Sequence, residues 1–178
     1  MKGAPPLPAT TNTEPAAIHP DRYREVMRHH PTGVAAVSSL DSDTGEPCGL
    51  VVGTLASLSL EPALITFSVN RSSSSWQKIS RTGKFTVSLL AEGQQAVLEA
   101  LSRKEDDKFA GLDWSFSAQR TPQIDRALGW IHCTINREID GGDHWLVIAD
   151  VMAMSASGGE PLIFPGGRLG GFRWQGPA

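Results

Sequence analysis

After Gly33 the chain places four apolar runs in succession, "GVAAVSSL", "CGLVVGTL", "ALITFSV" and "KFTVSLL", none longer than eight residues. An amphipathic helix needs a longer window with a 3.6-residue period, so these runs read as β-strands. The turn-rich "DSDTGEP" joins the first two and predicts an antiparallel pair. Further strands follow in "WSFSA", "LGWIHCTINREI", "HWLVIADVMAM" and "PLIFPGG", with "DGGD" between the middle two as a hairpin signal. Long strands returning over short turns, without a βαβ rhythm, predict an antiparallel barrel, closed or nearly so, rather than a sandwich.

Helices are few. Pro20 and Asp21 precede Tyr23, Val26 and Met27, and Pro31 and Gly33 follow, which predicts a short helix. His29 and His30 stand at its end. Neighbouring helical positions point about 100° apart, so the pair suits an interaction with the helix C-terminus better than a shared metal. Two more helical segments, from about Ser75 to Arg81 and through "EGQQAVLEALSRKEDDKFAG", are expected to cover the open ends of the barrel. The expected class is mainly β with flanking helices. Residues 1–18 read as a disordered Pro/Thr-rich tail without the apolar core of a signal peptide, 19–174 as one domain and 175–178 as a short tail.

A formal net charge of −3 with scattered Lys and Arg argues against a nucleic-acid partner. No apolar run reaches the roughly 20 residues that span a bilayer, so a soluble protein is expected. Cys48 and Cys133 form no CxxC pair, which suggests neither zinc nor a disulfide framework and fits reduced thiols in a cytoplasm.

Three stretches carry candidate chemistry. In "GLVVGTLASLSLEP", Thr54, Ser57 and Ser59 put hydroxyls along an otherwise apolar run, as a binding edge would. "NRSSSSWQKISRTGKF" leads four serines into a helix beside Arg71 and Lys78. That arrangement serves either as a phosphate cradle at a helix N-terminus or as a simple N-cap flanked by solvated loop. Its SxxK spacing, Ser75 to Lys78, lies too close to "RTG" to match penicillin-binding chemistry. "DGGDHWLVIADV" holds His144 beside Asp143 at a strand mouth, where it either contacts a charged substrate or merely closes a hairpin. His132, between Ile131 and Cys133, reads as structural. The glycines of "PLIFPGGRLGGF" lack the strand-turn-helix context of a Rossmann fingerprint, and Arg168 there meets either an anion or solvent.

Taken in order, "HPTGVAAVSS", "GLVVGTLASLSLEPALITFSVNRSSSSW", "TGKFTVSLLAEGQ", "DKFAGLDW", "GDHWLVIADV" and "PLIFPGGRLGGF" resemble the short-chain flavin reductase family over about Tyr23 to Phe172. The resemblance implies an FMN-binding split barrel and a homodimer. It implies hydride transfer from NADH or NADPH to FMN or FAD, with the reduced flavin passed to a partner monooxygenase. It places Gly53, Thr54, Leu55, Ala56, Ser57 and Ser59 along the isoalloxazine and ribityl chain, and Asn70, Ser72 and Ser75 along the phosphate. Lys108 and Phe109 would lie near the flavin and His144 near the nicotinamide, with Arg71, Trp76 and Arg168 completing the cofactor-binding set. Val51, Gly53 and Ala56 depart from the family pattern, where Thr, Asn and Ser or Thr are frequent, and leave FMN against FAD open. The lack of an Arg cluster for a 2′-phosphate favours NADH. An FMN-dependent oxidase of the pyridoxamine-phosphate-oxidase type and a non-catalytic flavin-binding protein are the alternatives, which NADH oxidation with added flavin separates.

Overall fold

The computed structural model describes residues 17–104, 107–164 and 170–171. Its elements in chain order are α1 (Pro20–Met27), β1 (Thr32–Gly33), β2 (Ala35–Leu40), β3 (Pro47–Val52), β4 (Ala56–Leu60), β5 (Ala63–Asn70), α2 (Ser74–Thr82) and β6 (Lys84–Leu89). There follow α3 (Gln95–Ser102), β7 (Trp114–Phe116), β8 (Pro122–Ile124), β9 (Gly129–Gly141), β10 (His144–Ala156), β11 (Leu162–Phe164) and β12 (Gly170–Gly171). Seven strands make the main antiparallel sheet in the order β3-β2-β6-β9-β10-β5-β4.

That order settles the architecture. β3 and β4 are the two edges of the sheet, yet only residues 53–55 join them. In a flat sheet, six spacings of about 4.8 Å would separate the edges by roughly 29 Å. The four peptide steps from Val52 to Ala56 reach at most about 14 Å. The sheet therefore has to curl until its edges almost meet, and the linker spans the remaining split. The result is the expected split barrel.

The curled sheet buries its inward residues around an aromatic centre. Phe67, Phe85, Val37, Val87 and Val147 are fully shielded, and Trp76 from α2 enters this core. Ring centroids lie 5.5 Å apart for Phe67 and Trp76 and 5.7 Å for Phe67 and Phe85, in edge-to-face contacts. Trp76 satisfies its indole N–H by donating to Glu138 Oε1 at 2.6 Å. α2 is thus a plug, ended by Gly83 at φ +69°. A second apolar cluster, with Ala36, Leu90, Val97, Leu101, Phe109 and Ile124, packs α3 and the 107–124 segment against the outside of β2. Gly49 is required there, because a Cβ would sit 3.1 Å from the Phe109 ring.

Hydroxyls on the outer faces of β2 and β6 fasten β8. Ser38 Oγ donates to the Pro122 carbonyl at 2.8 Å, Ser88 Oγ accepts from Ile124 N–H at 3.0 Å, and Thr86 and Thr121 share a 2.6 Å hydrogen bond. His132 Nδ1 joins this chain at Thr86, 3.0 Å away.

The sequence reading needs two corrections. The run "CGLVVGTL" is not one strand: it stops at Val52, and β4 is a separate edge strand. The third helix covers only Gln95–Ser102, ending where the charged "RKEDD" begins, so Lys108 and Phe109 lie beyond it. The short helix expected after Pro20 is α1, which buries none of its residues and leaves Tyr23, Val26 and Met27 exposed.

Candidate functional site

Where the barrel is split, a groove of about 420 Å³ runs along the end of β3 (residues 50–52), the linker residues Gly53 and Thr54, and the end of β5. Ser73, the C-terminal end of α3, Lys108 and His144 complete its lining. The volume falls in the range of small-molecule sites.

The sequence brings an anion-seeking end to this groove. Asn70 Oδ1 accepts from the N–H and hydroxyl of Ser72, at 2.8 and 2.6 Å, and turns the chain out of β5. Ser73 then caps α2 by accepting from Trp76 N–H at 3.2 Å. Helix geometry leaves the N–H groups of Ser74 and Ser75 without intrahelical acceptors, at the positive end of the helix dipole. Lys108 adds a fixed ammonium: Nζ donates to Ser75 Oγ at 2.9 Å and to the Leu101 carbonyl at 3.2 Å. Helix amides, a hydroxyl cap and a held cation are the donor set that a phosphate needs.

His144 opens β10, paired in register with Asn70 on β5 and Gly141 on β9. Its Nδ1 lies 2.6 Å from Asp143 Oδ1, and the ring is 41% exposed. The hydrogen bond from His144 holds the Asp143 carboxyl below its ordinary range, so Asp143 is ionised and can only accept. Nδ1 of His144 therefore carries a proton and donates it to this bond.

The remaining sequence candidates distribute as follows. Gly53 lines the groove with backbone. Thr54 lines it too, but its Oγ1 is engaged with Ser68, accepting from the N–H at 2.9 Å and the hydroxyl at 3.1 Å and donating to the carbonyl at 3.2 Å. Leu55 turns into a separate apolar cavity of about 240 Å³ with Leu90, Leu128 and Leu162. Ala56 and Ser57 are exposed and Ser59 half-buried on β4, away from the groove. Trp76 and Phe109 are core residues and do not line it. Ser72 is exposed in the turn, whereas Ser75 is buried beneath Lys108. Arg71 stacks over Trp145, 4.0 Å from the ring centroid, and pairs with Asp140. Arg168 lies outside the described residues. Sequence reasoning missed Ser68, Ser73, Leu101 and Ser102; only Ser73 had a local signal, its place one residue before the helix.

A cavity of about 510 Å³ beside the β2–β3 hairpin is lined by Asp41, Glu46, Lys78 and Asp107. Lys78 there is paired with Asp41 at 3.3 Å, and the acidic lining repels an anion. The split groove is the better candidate for a phosphorylated ligand.

Comparison with known proteins agrees. The chain is 40% identical over 158 residues to a flavin reductase from Pseudomonas putida, covering 88% of this chain and 92% of that one. Its fold superposes on nitrilotriacetate monooxygenase component B from Mycobacterium thermoresistibile with a TM-score of 0.83 and 36% identity, covering 89% and 90% of the two chains. It also matches the NADH:FAD oxidoreductase of Streptomyces globisporus, solved with NAD and FAD fragments, with a TM-score of 0.82 and 28% identity over 88% and 94%. The model of the flavin reductase like domain matches residues 27–173, and the chain belongs to that family.

Proposed function

We propose that the split groove binds a flavin, phosphate end at α2 and Lys108, and admits a reduced nicotinamide on the His144 side. The carrying observation is the convergence of the backbone of 50–54, the N-terminus of α2, Lys108 and His144 on one groove at the barrel's split. The enzyme is then an NAD(P)H-dependent flavin reductase that supplies reduced flavin to a monooxygenase component, with NADH the favoured donor and FMN or FAD the acceptor.

When bound, the flavin supplies the hydride-accepting chemistry. The chain's own residues bind, orient and neutralise. Ser74 and Ser75 amides with Lys108 hold the phosphate, and backbone at Gly53 and Thr54 permits close approach of a flat ring. His144, with a proton kept on Nδ1 by Asp143, would orient the donor. Because the flavin would supply the hydride-accepting centre, the chain's residues would contribute alignment rather than an acid-base pair.

We also propose that the chain forms a homodimer, a reading its exposed apolar residues support. The β9-β10-β5-β4 part of the sheet leaves Ile139, Leu146, Leu58 and Leu60 exposed, Leu60 at 88%, and α1 adds Tyr23 and Val26. Exposed apolar faces of this kind mark interaction surfaces. Among the described residues no helix is long and apolar enough to cross a membrane.

The test is the rate of NADH and NADPH oxidation with FMN, FAD or riboflavin in turn. Flavin-dependent oxidation is expected. Flavin binding without nicotinamide turnover would leave only a flavin carrier.

A further inference from the structure

The hairpin tip that precedes His144 is built on Gly141 and Gly142. Gly142 has φ +84°, and a Cβ on Gly141 would lie 3.2 Å from the backbone oxygen of His144. Adjacent glycines give such a tip conformational freedom, and His144 stands two residues beyond them. A tie from outside the hairpin restricts that freedom and so bears on where the imidazole sits.

Arg71 makes that tie by three routes. Its N–H donates to the Asp143 carbonyl at 3.1 Å. Its Nη2 pairs with Asp140 Oδ1 at 2.5 Å, and the same oxygen accepts from Gly142 N–H at 3.0 Å, closing the turn. Its guanidinium lies flat against Trp145, the residue after His144. The anchor is firm, since Arg71 directly follows Asn70, the register partner of His144 on β5. One side chain therefore grips the tip on both flanks of the histidine.

We propose that Arg71, through Asp140 and Trp145, is a positioning residue: a strap that holds His144 at the groove and so sets the affinity for the nicotinamide donor. This rests on the reading of His144 given above. Asp140 is largely exposed and solvent screens its side of the pair, so the strap adds little to global stability. Its effect is local. When a binding-competent arrangement is only partly populated, apparent affinity falls by that fraction, while saturating ligand restores the arrangement. Cutting the strap should therefore raise KM for NADH more than it lowers kcat.

A rival role exists for the same side chain. Arg71 Nε and Nη2 are buried without a well-directed hydrogen-bond acceptor among the described residues, Nη2 meeting Asp140 as an ion pair, and a ligand phosphate would supply such an acceptor. That role predicts weaker FMN binding, with riboflavin unaffected.

The experiment compares Arg71→Met, Asp140→Asn and the exchange Arg71→Asp with Asp140→Arg in the full-length protein. The single variants should raise KM for NADH about 3- to 10-fold, with kcat and the FMN Kd within about twofold, and the exchange should recover much of the loss. Amide hydrogen exchange at residues 141–143 should quicken by a similar factor in Arg71→Met. An unchanged KM, unchanged exchange at the tip, or a loss of FMN affinity not shared by riboflavin would each overturn the strap. His144→Ala separates the two layers. If it leaves KM unaltered, the reading of His144 has failed. If it raises KM and Arg71→Met does not, the strap has failed with that reading intact.

Discussion

Replacing Lys108 by Met keeps the length and apolar stem of the side chain and removes only the charge, which makes it the sharpest probe of the phosphate end. In the wild type the ammonium cannot wander, because Ser75 Oγ and the Leu101 carbonyl hold it at 2.9 and 3.2 Å beside the first turn of α2. The side chain is half-buried, so solvent screens it only in part. A hydrogen bond between charged groups in such a setting contributes about 1.5–3 kcal/mol, or roughly 10- to 150-fold in Kd. FMN should lose that much affinity. Riboflavin, which has no phosphate, should change by less than about twofold. A residual preference for FMN should persist, since the α2 dipole alone contributes about 0.3–1 kcal/mol. Fluorescence titrations of both flavins at low and high salt give the answer, with a urea midpoint to check that the loss of the Ser75 bond has not loosened the fold. Equal losses for FMN and riboflavin would place Lys108 at the ring rather than the phosphate, and no loss for either would remove it from the site.

Gly53→Ala should destabilise by about 1–3 kcal/mol, because its Cβ would lie 2.7 Å from Thr32 Oγ1. Thr32→Ala in the same chain should restore most of this, and a double-mutant cycle with no coupling would refute the contact. The proposed homodimer should appear by light scattering in the wild type and give way to monomer in Leu58→Glu with Leu60→Glu; a monomeric wild type would refute the dimer, and a dimer that survives in the variant would move the interface off β4. Burial lowers the pKa of His132 from 6.5, so the unfolded chain binds more protons than the folded one as pH falls below about 7. Stability present above pH 6.5 should therefore decline on acidification, and His132→Asn should flatten that part of the urea-midpoint profile; an identical slope in the variant would count against it.

The barrel was legible because inward residues alternate with outward ones over strand-length runs bounded by turns, as in "ALITFSV". The break at 53–55 was not. Val52, Thr54 and the β4 residues form one continuous small and apolar run, and only pairing with opposite edges of the sheet divides it. Hydroxyls are ambiguous in sequence for a related reason. Ser38, Thr86 and Ser88 on strands dock β8, and Thr54 ties the linker to Ser68, yet a serine that holds a distant backbone looks the same in sequence as one that holds a ligand. Within "SSSS" the letters are identical, and the turn made by Asn70 decides which serine caps the helix. His144 was readable because its glycine turn and its strand are adjacent in sequence. Arg71 was readable only as a basic residue near the phosphate, since its partners Asp140 and Trp145 lie some seventy positions away.

The linker across the split also acts as a calliper. Most binding clefts are as wide as their side chains allow, and a substitution or a thermal fluctuation widens them. Here the two edges of the sheet, β3 and β4, are consecutive pieces of one chain, and residues 53–55 limit their separation by bond lengths. The split can therefore hardly widen in span, whatever the side chains beside it do. Tuning that limit is a matter of chain length: one residue inserted after Thr54 would extend it by about 3.5 Å.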